Sequence, residues 1–261
     1  MIILEAQNLS YVLHRKKLID DINIAFNEGE LTTIIGPNGA GKSTLTRLLC
    51  GELRPTHGSV VLNGHNIHTI APWRLACMRA VMPQASQIIF PFSVSEVVSL
   101  GVAGIGKNLS KEKRRQIASY SLEQADISHL KDRVYQTLSG GEKQRVHFAR
   151  VLAQLGAGQS LETKQILFLD EPIASLDLKH QLQLLNETKK LTEKGLTVIA
   201  VLHDLQLSAD IADRIIALSH GKVICSGLPS EVLTQQRIED IFEVSLVSGN
   251  LPPSPWQALH S

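Results

Sequence analysis

Gly36, Gly41, Lys42 and Ser43 stand in the stretch "GPNGAGKST" at the spacing G-x-x-x-x-G-K-[ST]. Glycines let a backbone curl until its N–H groups face an anion, and a lysine at the end of the curl adds a positive charge. Such a loop holds nucleotide phosphates. Lys42 would reach the β- and γ-phosphates, and the Ser43 hydroxyl would ligate Mg²⁺. A second cluster, "ILFLDEP", is an apolar run that ends in Asp170 and Glu171. Alone it would be a solvated strand end. After a phosphate loop, Asp170 reads as a carboxylate holding Mg²⁺ through its water shell, and Glu171 as the group that polarises an attacking water. A third stretch, "TLSGGEKQRV" from Thr137 to Val146, is what a helix start looks like, with bare N–H groups facing something negative.

These groups need rigid elements behind them. "LTTIIG" is a continuous apolar strand feeding the glycine loop, which opens the helix "KSTLTRLLCGEL", closed by Gly51 and Pro55. "KQILFLDEP" and "LTVIAVLHD" are two further buried strands, with the helix "LKHQLQLLNETKKLTEKG" between them. "ILEAQNLSYVL" and "LIDDINIAF" are strand-like, "GSVVLNG" ends in an Asn-Gly turn, and "DRIIALSHGKVICSG" is a hairpin turning at His220-Gly221. From 88 to 138 the spacing turns helical, in "SVSEVVSLGVAG" and "SKEKRRQIASYSLEQADI". The expected organisation is therefore an α/β core over 1–87 and 139–246, an inserted helical subdomain over 88–138, and a loose Pro- and Ser-rich tail over 247–261. "GVAGIG" from Gly101 to Gly106 reads as a flexible connection, and "KEKRR" from Lys111 to Arg115 as a solvated helix face.

Leu138-Ser139-Gly140-Gly141-Glu142 resembles the signature of the ATP-binding cassette ATPases, and the rest of that family's set follows in order. Tyr11 lies ahead of the phosphate loop where the family stacks an aromatic on adenine. Gln84 in "VMPQ" resembles the family's Q-loop glutamine, which senses Mg²⁺. "SLD" at Ser175 to Asp177 resembles the D-loop, and His203 in "VLHD" the switch histidine that contacts the γ-phosphate. The resemblance spans residues 1 to roughly 235. It implies a P-loop NTPase fold with an N-terminal antiparallel β subdomain, ATP and Mg²⁺ as ligands, and ATP hydrolysis as the activity. Gly36, Pro37, Asn38, Gly39, Ala40, Gly41, Lys42, Ser43 and Thr44 would wrap the phosphates. Ser43, Gln84 and Asp170 would serve the metal, and Glu171, His203, Lys42 and Gln84 the chemistry.

In this family two cassettes pack head to tail, so that Ser139, Gly140, Gly141 and Asp177 serve the nucleotide held by the opposite subunit. With one cassette in the sequence, the resemblance implies a second copy of the chain. "PQASQIIFPFSVSEVV" and the lengthened link "LAQLGAGQSLETKQILFLDEP" are most similar to the importers of iron chelates, haem and cobalamin. That subgroup implies uptake of haem, or else of a ferric siderophore or cobalamin. It also implies two transmembrane permease subunits, a periplasmic binding protein, and a place on the cytoplasmic face of the bacterial inner membrane. Ile88 to Phe92 would either pack into the helical subdomain or form a groove for a permease helix. Ile173, where the family usually has Thr, touches no phosphate-contacting position.

Bulk properties trim the other classes. Lys plus Arg is 26 against 25 for Asp plus Glu, a net charge of +1 that offers no basic field for nucleic acid. Soluble cassette proteins of DNA repair or ribosomes usually carry two cassettes or a long coiled-coil insertion, and this sequence shows neither. A non-hydrolysing regulator would not need Glu171 and His203. No stretch approaches the roughly 20 apolar residues of a membrane span, and Glu5 interrupts the N-terminus too early for a secretory leader. Cys50, Cys77 and Cys225, odd in number and without metal-ligand spacing, read as buried reduced thiols. His57, His65 and His68 cluster around a turn without carboxylate or cysteine support for a metal.

Overall fold

Short apolar runs punctuated by Gly, Asn and Pro make a chain that alternates strands and helices. The computed structural model describes residues 1–84 and 88–244; the expected loose tail lies outside them. In chain order the elements begin with β1 (Ile2–Leu13), β2 (Lys16–Asn27), β3 (Leu31–Ile35), α1 (Lys42–Leu49), β4 (His57–Leu62) and β5 (His65–Asn66). Next come α2 (Pro72–Met78), β6 (Arg79–Met82), α3 (Val94–Ala103), α4 (Lys111–Gln124), α5 (Gly140–Gly158), β7 (Ile166–Asp170) and α6 (Leu178–Glu193). The last are β8 (Thr197–Val201), α7 (Leu205–Ile211), β9 (Arg214–Ser219), β10 (Lys222–Gly227), α8 (Pro229–Val232) and α9 (Gln235–Phe242). They fall into two compact units. One comprises Met1–Ile70 and the described residues from Thr192 onward; the other is Ala71–Leu191.

In the first unit, β1 and β2 pair antiparallel, and β4 and β5 extend them into a sheet of order β2-β1-β4-β5. β2 alternates buried and more exposed positions over its second half, as a sheet with one wet face requires, whereas shifts of register in β1 set the buried Ile3 and Leu4, and Leu9 and Ser10, side by side. β3 behaves differently. All of Leu31–Ile35 is buried, with β8 and β9 parallel on its two sides and β10 antiparallel beyond β9. The turns fall at Asn63-Gly64 and His220-Gly221, where the sequence signals them. Asp204 caps α7 by accepting from the N–H groups of Gln206 and Leu207 at 2.9 and 3.0 Å.

In the second unit, β6 and β7 form a parallel pair and every residue of β7 is buried. The stretch 88–138 carries α3, α4 and short 3₁₀ turns. α3 and α5 each begin with a capping box, Ser93 with Glu96 and Ser139 with Glu142. Gly101 corrects one expectation: Gly101 to Ala103 is the last part of α3, not a flexible connection. A Cβ on Gly101 would lie 2.2 Å from the Arg150 carbonyl oxygen of α5, so the glycine lets the two helix backbones touch. Lys111 to Arg115 is largely exposed, as a solvated helix face should be. The long link after α5 is tied down as well. Gln165 Nε2 donates to the carbonyls of Cys77 and Leu155 at 2.7 and 3.0 Å, and Arg74 pairs with Glu162 at 2.6 Å. Cys50 and Cys77 are buried free thiols and Cys225 is half-buried.

Candidate functional site

The first unit carries the phosphate loop. Parallel strands deliver their C-terminal ends to one edge of a sheet, which is where ligands bind in α/β folds. β3 ends there at Ile35 and runs into Gly36 to Thr44, while its neighbour β8 runs through Leu202 to His203. The Leu202 N–H bonds the Ile34 carbonyl at 3.3 Å, so the exposed His203 sits on the same edge as the loop. Gly36, at φ 148°, lies so close to β9 that a Cβ would come within 2.0 Å of the Leu218 carbonyl oxygen. The hairpin turn braces the loop from the same side, with Gly221 N–H donating to the Ala40 carbonyl at 2.9 Å.

Lys42 opens α1 and is only 7% exposed. Its ammonium donates to the carbonyls of Gly36 and Pro37 at 2.8 and 2.9 Å. The ammonium is thus buried at the start of α1 against two carbonyls of the loop. Ser43 and Thr44 follow in the first turn of α1, beside its N-terminal N–H groups. Tyr11 lies on β1 opposite Ile19 of β2, with its side chain half-buried.

The second unit carries the acidic groups. Asp170 ends β7 and is 7% exposed, and Glu171 follows it with φ +50°, a left-handed conformation that side chains rarely adopt. Gln84 follows β6 and reaches the next strand: its Nε2 donates to Glu171 Oε2 at 2.6 Å. Ser139 is exposed at the mouth of α5. Its N–H donates to Glu142 Oε2 at 2.7 Å while its hydroxyl accepts from the Glu142 N–H at 3.3 Å. The first-turn N–H groups of Gly140 and Gly141 lie beside it at the helix mouth. The backbone bond from Ser139, then that residue's hydroxyl and the nearby Arg133 and Arg145, hold the Glu142 carboxyl below the usual glutamate range. Asp177 caps the start of α6, where its carboxylate accepts from the His180 N–H at 3.0 Å and meets the His180 ring at 2.7 Å. That backbone bond, followed by the histidine side chain, lowers the Asp177 carboxyl as well.

Ile89 and Phe90 are 86% and 67% exposed, so they do not pack into the unit's core. Gln136 holds this segment by donating to the carbonyls of Ile88, Ile89 and Phe90.

The ABC transporter family model matches residues 19–174, which takes in the phosphate loop, the signature, Asp170 and Glu171. The chain belongs to the ABC transporter family. The hemin import ATP-binding protein HmuV of Rhodopseudomonas palustris is 43% identical over 93% of this cassette and 89% of its own length. A transporter of metal-chelate type, solved in an inward-facing conformation, is similar with a TM-score of 0.78. Its identity is 25%, over 94% of this chain and 90% of that one. A dimeric ATP-binding cassette in a post-hydrolysis state, bound to ADP and phosphate, gives a TM-score of 0.76 at 27% identity, over 87% and 98% of the two chains. No helix among the described residues of this cassette is long and apolar enough to cross a membrane.

One residue that the sequence reading passes over stands beside Glu171. Gln144, on the first turns of α5, donates through Nε2 to the carbonyls of Glu171 and Pro172 at 3.3 and 3.0 Å. Its only signal in the sequence is a place just beyond the signature, in "SGGEKQRV".

Proposed function

We propose that this cassette is the ATP-hydrolysing subunit of a haem importer. The observation that carries the reading is the 43% identity to a hemin import ATP-binding protein along nearly the whole chain. The geometry of the phosphate loop supports the ATPase half of it. Lys42 would exchange its carbonyl partners for the β- and γ-phosphates, the N–H groups of the loop and of α1 would take the phosphate oxygens, and Tyr11 would stack on the adenine.

The donors assigned to Mg²⁺, the Ser43 hydroxyl, the Gln84 amide oxygen and the Asp170 carboxylate, are all oxygens, which suits a hard cation. When bound, Mg²⁺ would supply positive charge against the negative charge that develops on the phosphate oxygens. The work of this chain's own residues is positional. Glu171 would orient and deprotonate the attacking water, and His203 would contact the γ-phosphate. Ser139, Gly140, Gly141 and Asp177 would meet the nucleotide of a second copy. A relative of this fold is dimeric with ADP and phosphate bound, and the signature face at Ser139 is exposed.

The helical segment 88–138 would be the inserted subdomain, and exposed Ile89 and Phe90 would receive a short helix of a permease subunit. Phe90→Asp should then lose co-purification with the permease while binding ATP as before; undiminished co-purification would refute the groove. Two permease subunits would hold the cassette on the cytoplasmic face of the inner membrane, and they, not the cassette, would carry the substrate that a periplasmic binding protein delivers.

The deciding experiment is growth of a deletion strain on haem as sole iron source, with cobalamin and ferric siderophore uptake in parallel. The strain is complemented with the native chain or with Lys42→Ala. Loss of haem use, rescued only by the native chain, supports the reading; a defect confined to another chelate replaces the substrate and keeps the motor.

A further inference from the structure

The loop that follows β7 is held by side chains. From Glu171 to Leu176 its carbonyls receive amide donors from the helices that flank it in sequence. Gln144 of α5 reaches those of Glu171 and Pro172. Gln181 of α6 reaches those of Ile173 and Leu176 at 3.3 and 3.0 Å. The first of these peptides is the strained one, since Glu171 alone in this loop takes a positive φ, of +50°. A residue in the left-handed region persists only where its surroundings over-determine it, and such strain gathers where a side chain must be aimed. The Glu171 carboxylate is fixed from the other side by Gln84 at 2.6 Å. Its backbone is thus held by one glutamine and its carboxylate by another.

We infer that Gln144 is a positioning residue for Glu171, holding the strained Glu171–Pro172 peptide so that the carboxylate points at the water it activates. This rests on the reading of Glu171 as the group that polarises water. Gln144 lies on the helix whose first residues are Gly140 and Gly141, so the element that carries the signature also sets the glutamate. The amide N–H groups are what the two carbonyls require. A carboxylate of the same size in their place would offer oxygen to oxygen.

The test is steady-state phosphate release by the purified full-length chain with ATP and Mg²⁺, alongside binding of a fluorescent ATP analogue and thermal melting. Gln144→Ala and Gln144→Glu should each lower kcat by about tenfold, as expected for a misaimed catalytic group. The affinity for the ATP analogue should stay within about twofold, because the phosphate loop keeps its own contacts. Gln144→Lys, which keeps a donor of similar reach, should recover part of the lost kcat. The inference is overturned if the Ala and Glu variants keep native kcat, or if their ATP affinity falls together with kcat and melting temperature, which would make Gln144 a folding residue. Glu171→Gln is the independent control. Native hydrolysis by that variant sinks the reading of Glu171 itself, whereas loss of hydrolysis there with native rates at Gln144→Ala sinks only the positioning role.

Discussion

The Gln84 amide and the Glu171 carboxylate meet at 2.6 Å across the ends of two neighbouring parallel strands. A carboxylate that must hold a water at a defined angle gains from a fixed donor on one oxygen, which leaves the other for the water. Glu171→Gln should therefore cut phosphate release by about 10²-fold or more, the usual loss when a general base is removed. Gln84→Ala should cost at least about tenfold in kcat, since it frees the Glu171 carboxylate and removes an oxygen assigned to Mg²⁺. Both variants should still bind ATP. Single-turnover phosphate release beside equilibrium binding of an ATP analogue separates the two effects, and native turnover by Glu171→Gln would remove that residue from the chemistry.

The phosphate loop makes a sharper prediction because two of its glycines differ. At Gly36 a Cβ would sit 2.0 Å from the Leu218 carbonyl oxygen, whereas at Gly39 it would meet nothing within 4 Å. Gly36→Ala must push β9 away from the loop, at a cost of about 1–3 kcal/mol. Gly39→Ala adds only backbone strain. Melting should show a drop of several degrees for the first and a smaller one for the second. Lys42→Ala should lower ATP affinity by at least about tenfold, because a charge-assisted contact to phosphate is lost, with little change in the midpoint.

Much of this was legible in the sequence, and the reasons are local. "LTTIIG" reads as a strand buried on both faces because it is apolar throughout, and β3 is buried at every position. Ser139 reads as a helix start because Ser-Gly-Gly precedes a run of helix formers, and the structure adds a capping box with Glu142 that the residue types alone did not announce. Gly101 was misread, since a glycine's local meaning is flexibility while its use here is contact with a backbone distant in sequence. Gln144 escaped for the same reason: its partners are carbonyls past the end of another strand, and carbonyls leave no mark on residue type. α2 and β6 in "PWRLACMRAVM" are also easy to pass over. Each is short, and their packing against the segment after α5 comes from Gln165 and Glu162, far along the chain.

Gly101 offers a clean test of helix packing. Its Cβ would fall 2.2 Å from the Arg150 carbonyl oxygen and 3.1 Å from the Gln154 N–H nitrogen, both backbone atoms that cannot turn aside. In an isolated helix alanine would be better than glycine by about 1 kcal/mol. Here the clash should reverse the sign and leave Gly101→Ala destabilised by about 1–3 kcal/mol. Urea unfolding measures this directly, and a variant as stable as the native chain would mean that α3 and α5 are not held in backbone contact.

Glu142 ties stability of the signature helix to pH. Its carboxyl lies below the usual glutamate range, chiefly because the carboxylate accepts the Ser139 N–H at 2.7 Å. A group whose folded pKa is depressed binds protons less readily when folded, so it adds stability above its unfolded pKa and loses it as pH falls through the folded value. The cap should therefore be at full strength above about pH 5 and fade below the ordinary glutamate range. Glu142→Gln keeps an acceptor for the Ser139 N–H, since either residue can close a capping box, but has no proton to gain. Its urea midpoint should be slightly lower than that of the native chain at pH 7 and fall less between about pH 5 and about pH 3. Parallel pH profiles of the two proteins would show that Glu142 is not the group whose protonation weakens the start of α5.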